Sequence, residues 1–182
     1  RPDRAIEIAT RLGMRLKIAA KVDAADSVYF ESRIRPLLNN PLIEFVGEIG
    51  DGDKSEFLGG ADALLFPIDW PEPFGLVMIE AMACGTPVIA WPNGAAPEVI
   101  EDGATGYLVS SIDEAVDAVR RAITLDRSAI RARFELRFSS TAMAQRYLDI
   151  YRELLARTPY APPGIEMPLP TTTLKMPSAA VA

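Results

Sequence analysis

The chain has 182 residues, a formal net charge of -6 and 49% hydrophobic residues, an apolar fraction sufficient for one folded domain with a sizeable core. It contains no histidine and one cysteine, Cys84, which excludes Ser-His-Asp triads, Cys-His dyads, histidine-ligated metals, iron-sulfur clusters and internal disulfides built from this sequence alone. The sequence pI of about 4.8 argues against a nucleic-acid partner, and the lack of any apolar run near ~20 residues argues against a transmembrane segment, so we expect a cytoplasmic protein.

Helices and strands are predicted to alternate along most of the chain. Apolar residues at helical spacing predict helices over 2–12, 27–38, 53–59, 76–84, 96–101, 112–123 and 140–156. Short apolar runs predict strands over 16–20, 42–46, 61–67, 87–91 and 107–109. This alternation is typical of α/β proteins, and we expect a single Rossmann-like domain over residues 1–157, with a mostly parallel sheet flanked by helices.

The two ends of the chain differ from this pattern. Residues 158–182 hold six of the 15 prolines and only two charged side chains, so we expect a disordered or extended tail, or a linker. The chain starts at Arg1 without a methionine and becomes helical in pattern within a few residues. We therefore expect it to be part of a longer protein.

The loop before the helix 76–84 is a candidate ligand site. It follows the third predicted strand, and ligands of parallel α/β sheets bind at the carboxyl ends of the strands. One interpretation is that the amides of Phe74, Gly75 and Leu76 face a diphosphate at the helix N-terminus. The other is an ordinary turn in which Gly75 serves packing, and the local pattern leaves both open.

Glu80 lies in a helix that is apolar on almost every side. A buried ionised carboxylate needs a donor, which is either a protein group or the two hydroxyls of a ribose. Glu72 precedes it by eight positions, and a separation of roughly 10 Å would suit the two ends of one ligand better than a pair of acid and base carboxylates.

The residues around these two glutamates resemble a known family. Glu72-x7-Glu80 within residues 71–90, the following segment 93–109, and Val46-Gly47-Glu48-Ile49 are similar to family 4 retaining glycosyltransferases, whose GT-B architecture has two Rossmann-like domains. The resemblance covers about residues 1–155. It implies that this chain is the C-terminal, donor-binding half of such an enzyme.

The resemblance also implies roles for individual residues. Glu72 would be the catalytic-site residue that contacts the donor sugar, and Glu80 would accept the ribose hydroxyls. The remaining donor-binding candidates are Phe74, Gly75 and Leu76 at the diphosphate, Gly47, Glu48 and Ile49 at the base, Gly94 near the phosphates or sugar, and Lys21, which is either a ligand contact or a solvated side chain.

One departure from the family concerns charge, and one charged residue within the resemblance has two interpretations. The arginine and lysine that bind the diphosphate in the family lie upstream of the first helix and are absent here unless Arg1 substitutes for one of them. Glu98 is either a ligand contact or a helix-capping residue.

The resemblance implies transfer of a sugar from a nucleoside diphosphate sugar, with UDP favoured, to an unknown acceptor with retention. No metal or other cofactor is expected, since Asp51-Gly52-Asp53 is interpreted as a turn. The partners would be the nucleotide sugar and an N-terminal acceptor-binding domain outside this sequence, without which the fragment would be inactive. The alternatives are a non-catalytic nucleotide-sugar-binding module, and an epimerase or phosphorylase with the same architecture.

Overall fold

The structure is a computed structural model that describes residues 1–157. The chain divides into two compact units, residues 1–144 and a second unit that begins at Gln145. The helices are α1 (Pro2–Leu12), α2 (Ser27–Tyr29), α3 (Asp51–Gly59), α4 (Leu76–Ala83), α5 (Ala96–Val99), α6 (Ile112–Ala122), α7 (Arg127–Phe138) and α8 (Ser140–Arg157). The strands are β1 (Leu16–Ala19), β2 (Ile43–Gly47), β3 (Leu64–Phe66), β4 (Val88–Ala90) and β5 (Gly106–Leu108).

The strands form two parallel sheets within the described residues. One sheet pairs β1 with β2, and the other has the order β3-β4-β5. Leu16 lies opposite Ile43 in the first sheet, and Leu64 lies opposite Val88 in the second. The predicted α/β class, with parallel strands flanked by helices, is confirmed, although the strands lie in two sheets where the sequence predicted one.

The core lies on both faces of β4. Ile89 packs with Ile8 of α1 and Val119 of α6, whereas Val88 packs on the opposite side with α4 and α7. Successive strand residues point to opposite faces, so a strand that is apolar throughout is buried on both sides. This burial agrees with the position of β4 at the centre of its sheet, between β3 and β5.

Most predicted elements are found within a few residues of their expected bounds, and α1 has the expected bounds. The predicted helix 27–38 is instead a series of short segments, α2, a π-helical turn (Phe30–Ile34) and a 3₁₀ turn (Arg35–Asn39). Pro36 has no N–H to donate to the preceding turn, which disrupts a continuous α-helix there. The Asp51-Gly52-Asp53 segment, interpreted as a turn, forms the first turn of α3.

Helix α7 is absent from the sequence prediction. The Asp126 side chain accepts a hydrogen bond from the Ser128 N–H at its start, and Ile130 is fully buried against α4. The helix alternates arginines with apolar residues, which weakens its amphipathic pattern. Its spacing of Ile130, Phe134 and Phe138 was the available signal.

Helix α8 begins as predicted, with Ser139 Oγ accepting a hydrogen bond from the Ala142 N–H at 3.2 Å. In the second unit, the rings of Tyr147 and Tyr151 lie 6.2 Å apart on one side of the helix. No helix in the described part of the chain is long and apolar enough to cross a membrane. The tail predicted for residues 158–182 lies outside the described residues.

Candidate functional site

The turn into α4 is built around Gly75. Its φ of +73° is left-handed, and a Cβ at this position would stand 2.6 Å from Met78 Cε and 3.3 Å from Glu72 Cγ. The Gly75 N–H donates to Glu72 Oε1 at 3.1 Å, so the carboxylate folds back over the turn. The left-handed backbone conformation favours glycine here, and an added Cβ would also displace the Met78 methyl group.

The first amides of α4 are open to a ligand. Within residues 1–157, the N–H groups of Leu76 and Val77 donate to no other group, and the Leu76 side chain is exposed. The ring of Phe74 is also exposed and meets Phe138 edge-on at 6.4 Å. Of the three amides expected to face a phosphate, that of Gly75 is already bonded to Glu72, whereas that of Leu76 remains available.

A turn at residues 93–95 holds the loop that carries Glu72. The Ala95 N–H donates to the Glu72 carbonyl at 2.8 Å, and Asn93 Nδ2 donates to the Ile68 carbonyl at 2.8 Å. Gly94 has a φ of +60°, and a Cβ there would stand 2.2 Å from the Glu72 carbonyl oxygen. Gly94, predicted to lie near the ligand, therefore packs directly against the backbone of Glu72.

Glu80 is paired with a lysine that the sequence analysis missed. Lys54 Nζ of α3 lies 3.1 Å from Glu80 Oε1 and 3.0 Å from Asp51 Oδ1. The Asp51 carboxylate and, next, that of Glu80 raise the pKa of Lys54 above its usual value. The Glu80 side chain is 35% exposed, so the expected burial of this carboxylate is wrong, and its donor among the described residues is a protein group. Helix α4 lies at the rim of an opening, which leaves one side of the Glu80 carboxylate accessible.

This opening is a cavity of about 460 Å³ between β1 and β3. Its walls bring together Glu80, Lys54 and Ile49, together with Val77 of α4. The largely apolar wall with one ion pair at its edge is typical of small-molecule sites. Ile49, expected at the base, and Glu80, expected at the adjoining ribose, thus share one cavity.

Eight of the ten predicted site residues do not line this cavity: five belong to the turn into α4 and the turn at 93–95 (Glu72, Phe74, Gly75, Leu76 and Gly94), and three lie elsewhere (Gly47, Glu48 and Lys21). Gly47 ends β2 with a φ of +76°, and its carbonyl accepts the Ala20 N–H at 2.9 Å. Glu48 is exposed, and Lys21 Nζ lies 2.8 Å from Asp23 Oδ1 at the surface. For Lys21, the geometry favours the solvated alternative.

Basic side chains from α1 lie at the same end of the fold. Arg1 Nη1 is 3.0 Å from Asp69 Oδ2, and Arg1 also pairs with Asp3 at 2.9 Å. Arg4 pairs with Asp69 at 3.5 Å and lies over the Trp91 ring at 5.2 Å. Arg4 Nη1 is buried without an acceptor among the described residues. Arg4 was missed, although helices that alternate with parallel strands begin at the ligand-binding edge.

Comparison with known proteins identifies a family. Residues 1–136 match the family described as "Glycosyl transferases group 1". The chain is 32% identical over 140 residues to D-inositol 3-phosphate glycosyltransferase of Corynebacterium kroppenstedtii, covering 72% of this chain and 30% of that protein. It is 32% identical over 153 residues to N-acetyl-alpha-D-glucosaminyl L-malate synthase of Bacillus anthracis, covering 76% of this chain and 40% of that protein.

Solved structures share the fold. AviGT4, a glycosyltransferase involved in avilamycin A biosynthesis, aligns with a TM-score of 0.69 and 30% identity over 86% of this chain and 48% of its own. Anabaena HepE in complex with UDP and glucose aligns with a TM-score of 0.69 and 22% identity over 84% of this chain and 46% of its own. The chain thus spans less than half the length of these similar proteins.

Proposed function

The chain belongs to the group 1 glycosyl transferases, and from this premise we propose that it is the C-terminal, donor-binding half of a family 4 retaining glycosyltransferase with the GT-B architecture. The whole enzyme would transfer a sugar from a nucleoside diphosphate sugar to an acceptor held by another domain. This chain alone would bind the donor without turning it over. The cytoplasmic location expected from the sequence stays a prediction.

The observation that carries the proposal is the N-terminus of α4. Two backbone N–H groups, of Leu76 and Val77, are unbonded within residues 1–157 at the positive end of an eight-residue helix. The diphosphate would bind here, because free amides and the helix dipole both favour an anion. Glu72 and Glu80 flank this point on either side along the chain.

Glu80 would accept hydrogen bonds from the ribose. Its carboxylate is half-exposed at the cavity that Ile49 also lines, so a nucleoside could reach both. Lys54 occupies one carboxylate oxygen and holds it in place, which leaves Oε2 for the hydroxyls. Ile49 would pack against the base.

Glu72 would contact the donor sugar and thereby position it for transfer. The Gly75 amide and the turn at 93–95 hold this carboxylate beside the phosphate-binding amides. Such fixed placement is what catalysis by orientation requires. Retention is inherited from the family resemblance, and UDP is favoured as the nucleotide because a similar fold binds UDP and glucose.

Negative charge that develops on the leaving diphosphate would be neutralised without a metal. The dipole of α4 supplies positive potential near this edge of the sheet, and Arg4, paired with the single carboxylate of Asp69, lies at the same edge. Arg1 and Lys54 are each engaged by two carboxylates and are weaker candidates.

Isothermal titration calorimetry with UDP-glucose, GDP-mannose and UDP tests the proposal. We expect Glu80→Gln to weaken UDP and UDP-glucose alike, and Glu72→Gln to weaken UDP-glucose more than UDP. Glu44→Gln, on the exposed surface of β2, is the matched control and is expected to change neither. Binding of none of the three nucleotides, or equal losses in both variants for both ligands, contradicts the assignment.

A further inference from the structure

The last two residues of α7 reach both loops of the candidate site. Arg137 and Phe138 are half-buried and end the helix directly before Ser139, which has an extended backbone. Phe138 contacts the loop after β3, and Arg137 contacts α5, the helix that follows the loop after β4. We call these two residues the α7 terminus.

Phe138 supports the loop that leads into α4. Its ring meets that of Phe74 edge-on, with 6.4 Å between the centroids and 78° between the planes. Phe138 itself packs against the core cluster that contains Ile130. Edge-on aromatic pairs are favourable and have a defined geometry. The contact therefore ties the backbone just before Gly75 to the core.

Arg137 holds the C-terminal end of α5. Its Nη2 donates to the Glu98 carbonyl at 2.6 Å, and its Nη1 donates to the Val99 carbonyl at 3.3 Å and to Glu101 Oε1 at 2.7 Å. The last carbonyls of a helix have no partner within the helix, and an arginine can satisfy them. The guanidinium also lies 4.7 Å from the centroid of the Phe138 ring, so the two residues of the α7 terminus support each other.

Helix α5 connects the Arg137 contact to the turn at 93–95. The helix directly follows this turn, and the Val99 N–H donates to the Ala95 carbonyl at 3.1 Å. The Ala95 N–H donates to the Glu72 carbonyl at 2.8 Å. One short helix therefore links Arg137 to the backbone of Glu72.

We propose that the α7 terminus positions the donor site through these two contacts. Phe138 sets the backbone at Phe74 and with it the first amides of α4, whereas Arg137 sets the turn that holds Glu72. Loops that carry binding groups keep their geometry when packing and hydrogen bonds from outside the site fix them. The inference rests on the proposed function and adds two positioning residues that act through Phe74 and Glu72.

Two amides of the ligand-free chain report on the two contacts separately. The Gly75 N–H, bonded to Glu72 Oε1, reports on the Phe138 contact. The Ala95 N–H, bonded to the Glu72 carbonyl, reports on the Arg137 contact. The exchange rates of both amides with water are measured by NMR, so this test needs no ligand.

Each variant is expected to affect its own reporter. We expect Phe138→Leu to speed exchange at Gly75, and Arg137→Met to speed exchange at Ala95, by about fivefold or more, because a hydrogen bond that loses its support opens more often. The Val88 N–H of β4 is the internal reference and should not change, since it follows the stability of the core.

Two other residues of α7 supply matched controls. Phe134→Leu changes a phenylalanine one turn earlier that packs in the same core cluster. Arg133→Met removes the cation that lies 3.0 Å from the other oxygen of Glu101. We expect neither control to change exchange at Gly75 or Ala95.

Nucleotide binding gives a readout that a purely structural role would not produce. In calorimetry we expect Phe138→Leu to raise the Kd of UDP and of UDP-glucose about threefold to tenfold, because both use the α4 amides. Arg137→Met should raise the Kd of UDP-glucose by a similar factor and that of UDP by at most about twofold, because it acts through the sugar contact Glu72.

Three results overturn the inference: unchanged exchange at Gly75 and Ala95, equal changes in the control variants, or equal losses of UDP and UDP-glucose in Arg137→Met. A parent chain that binds no nucleotide contradicts the proposed function instead, and the exchange rates then still decide whether the α7 terminus holds the two loops. If Arg137→Met does not fold, Arg137→Lys and Arg133→Lys replace the pair, since lysine keeps the charge but lacks the fixed set of donors.

Discussion

Gly94 lies so close to Glu72 that a Cβ at position 94 would stand 2.2 Å from the Glu72 carbonyl oxygen and 2.3 Å from its nitrogen. The contact joins the loop after β3 to the loop after β4. These two loops begin side by side because β3 and β4 are paired. The backbone of the proposed sugar-binding glutamate is therefore set by a residue that has no side chain. Gly94 would therefore affect sugar binding only through the position of Glu72.

Gly94→Ala is expected to destabilise the chain by roughly 2 to 4 kcal/mol, since it adds left-handed strain to a backbone clash. It should weaken UDP-glucose more than UDP, because Glu72 moves. Urea unfolding and calorimetric titration measure the two effects. Gly103→Ala is the matched control, because Gly103 has a φ of +75° with no atom within 4 Å of a Cβ. Equal losses of stability in Gly94→Ala and Gly103→Ala would mean that the contact with Glu72 is not what requires glycine at position 94.

The sequence predicted that the Glu72 loop belongs to the site, but it did not predict the contact with Gly94 that holds this loop. Glycine at 94 reads from the sequence as a turn or a ligand contact, because a backbone clash with a segment some 20 residues away leaves no local pattern. Lys54 was missed for a similar reason. Its partner Glu80 lies on another helix, and nothing in the α3 sequence singles out this lysine from a solvated one.

The strands, by contrast, follow closely from local pattern. Each is a short apolar run bounded by glycine, proline or charge, and β4 carries the signal of burial on both faces in its own residues, Val-Ile-Ala. Helix α7 was not predicted because arginines alternate with its apolar residues and weaken the amphipathic pattern, although Ile130 is fully buried. Sequence patterns predict the elements whose own residues show which face is buried. They do not predict elements or side chains whose position depends on a partner elsewhere in the chain.

Lys54→Met is expected to weaken UDP binding several-fold while leaving the melting temperature nearly unchanged. The lysine is 38% exposed, so its ion pair adds little to stability, but it holds the Glu80 carboxylate in place and attracts the anionic ligand. The loss should shrink at high salt. Calorimetry at two salt concentrations measures this. Arg120→Met, which removes an exposed cation that lines neither cavity, is the control, and an equal loss there would indicate a general charge effect.

Arg127→Met is expected to destabilise the chain by roughly 2 to 3 kcal/mol. The guanidinium donates to the carbonyls of Gly59 and Ala61 at 2.7 and 2.8 Å and to Thr86 Oγ1 at 2.8 Å, and its removal leaves these acceptors without a donor. Urea denaturation measures the change. Arg120→Met removes an exposed arginine paired with Asp117 at 2.8 Å and should cost less than about 0.5 kcal/mol. Similar costs for both would mean that the Arg127 bonds are replaced by water.

Asp3 should make stability depend on pH in the acid range. Its hydrogen bonds from the Arg1 guanidinium and, to a lesser extent, from the Tyr29 hydroxyl lower the pKa of this carboxyl from 3.8 to about 2. Because the folded pKa lies below the unfolded one, the contribution is fully present above about pH 4. It is lost as the pH falls through about 2. The difference in melting temperature between the parent chain and Asp3→Asn should therefore narrow from pH 5 to pH 2.

Tyr29→Phe provides the second measurement of this carboxylate. The Tyr29 hydroxyl donates to Asp3 Oδ1 at 3.0 Å, so its removal should raise the pKa of Asp3 while leaving the stronger pair with Arg1 intact. The midpoint is read from the carboxyl carbon shift of Asp3 during an NMR titration. Asp62→Asn, at an exposed position away from this pair, should change neither the Asp3 midpoint nor the pH profile. An Asp3 midpoint near 3.8 in the parent chain would mean that the Arg1 contact is not held in solution.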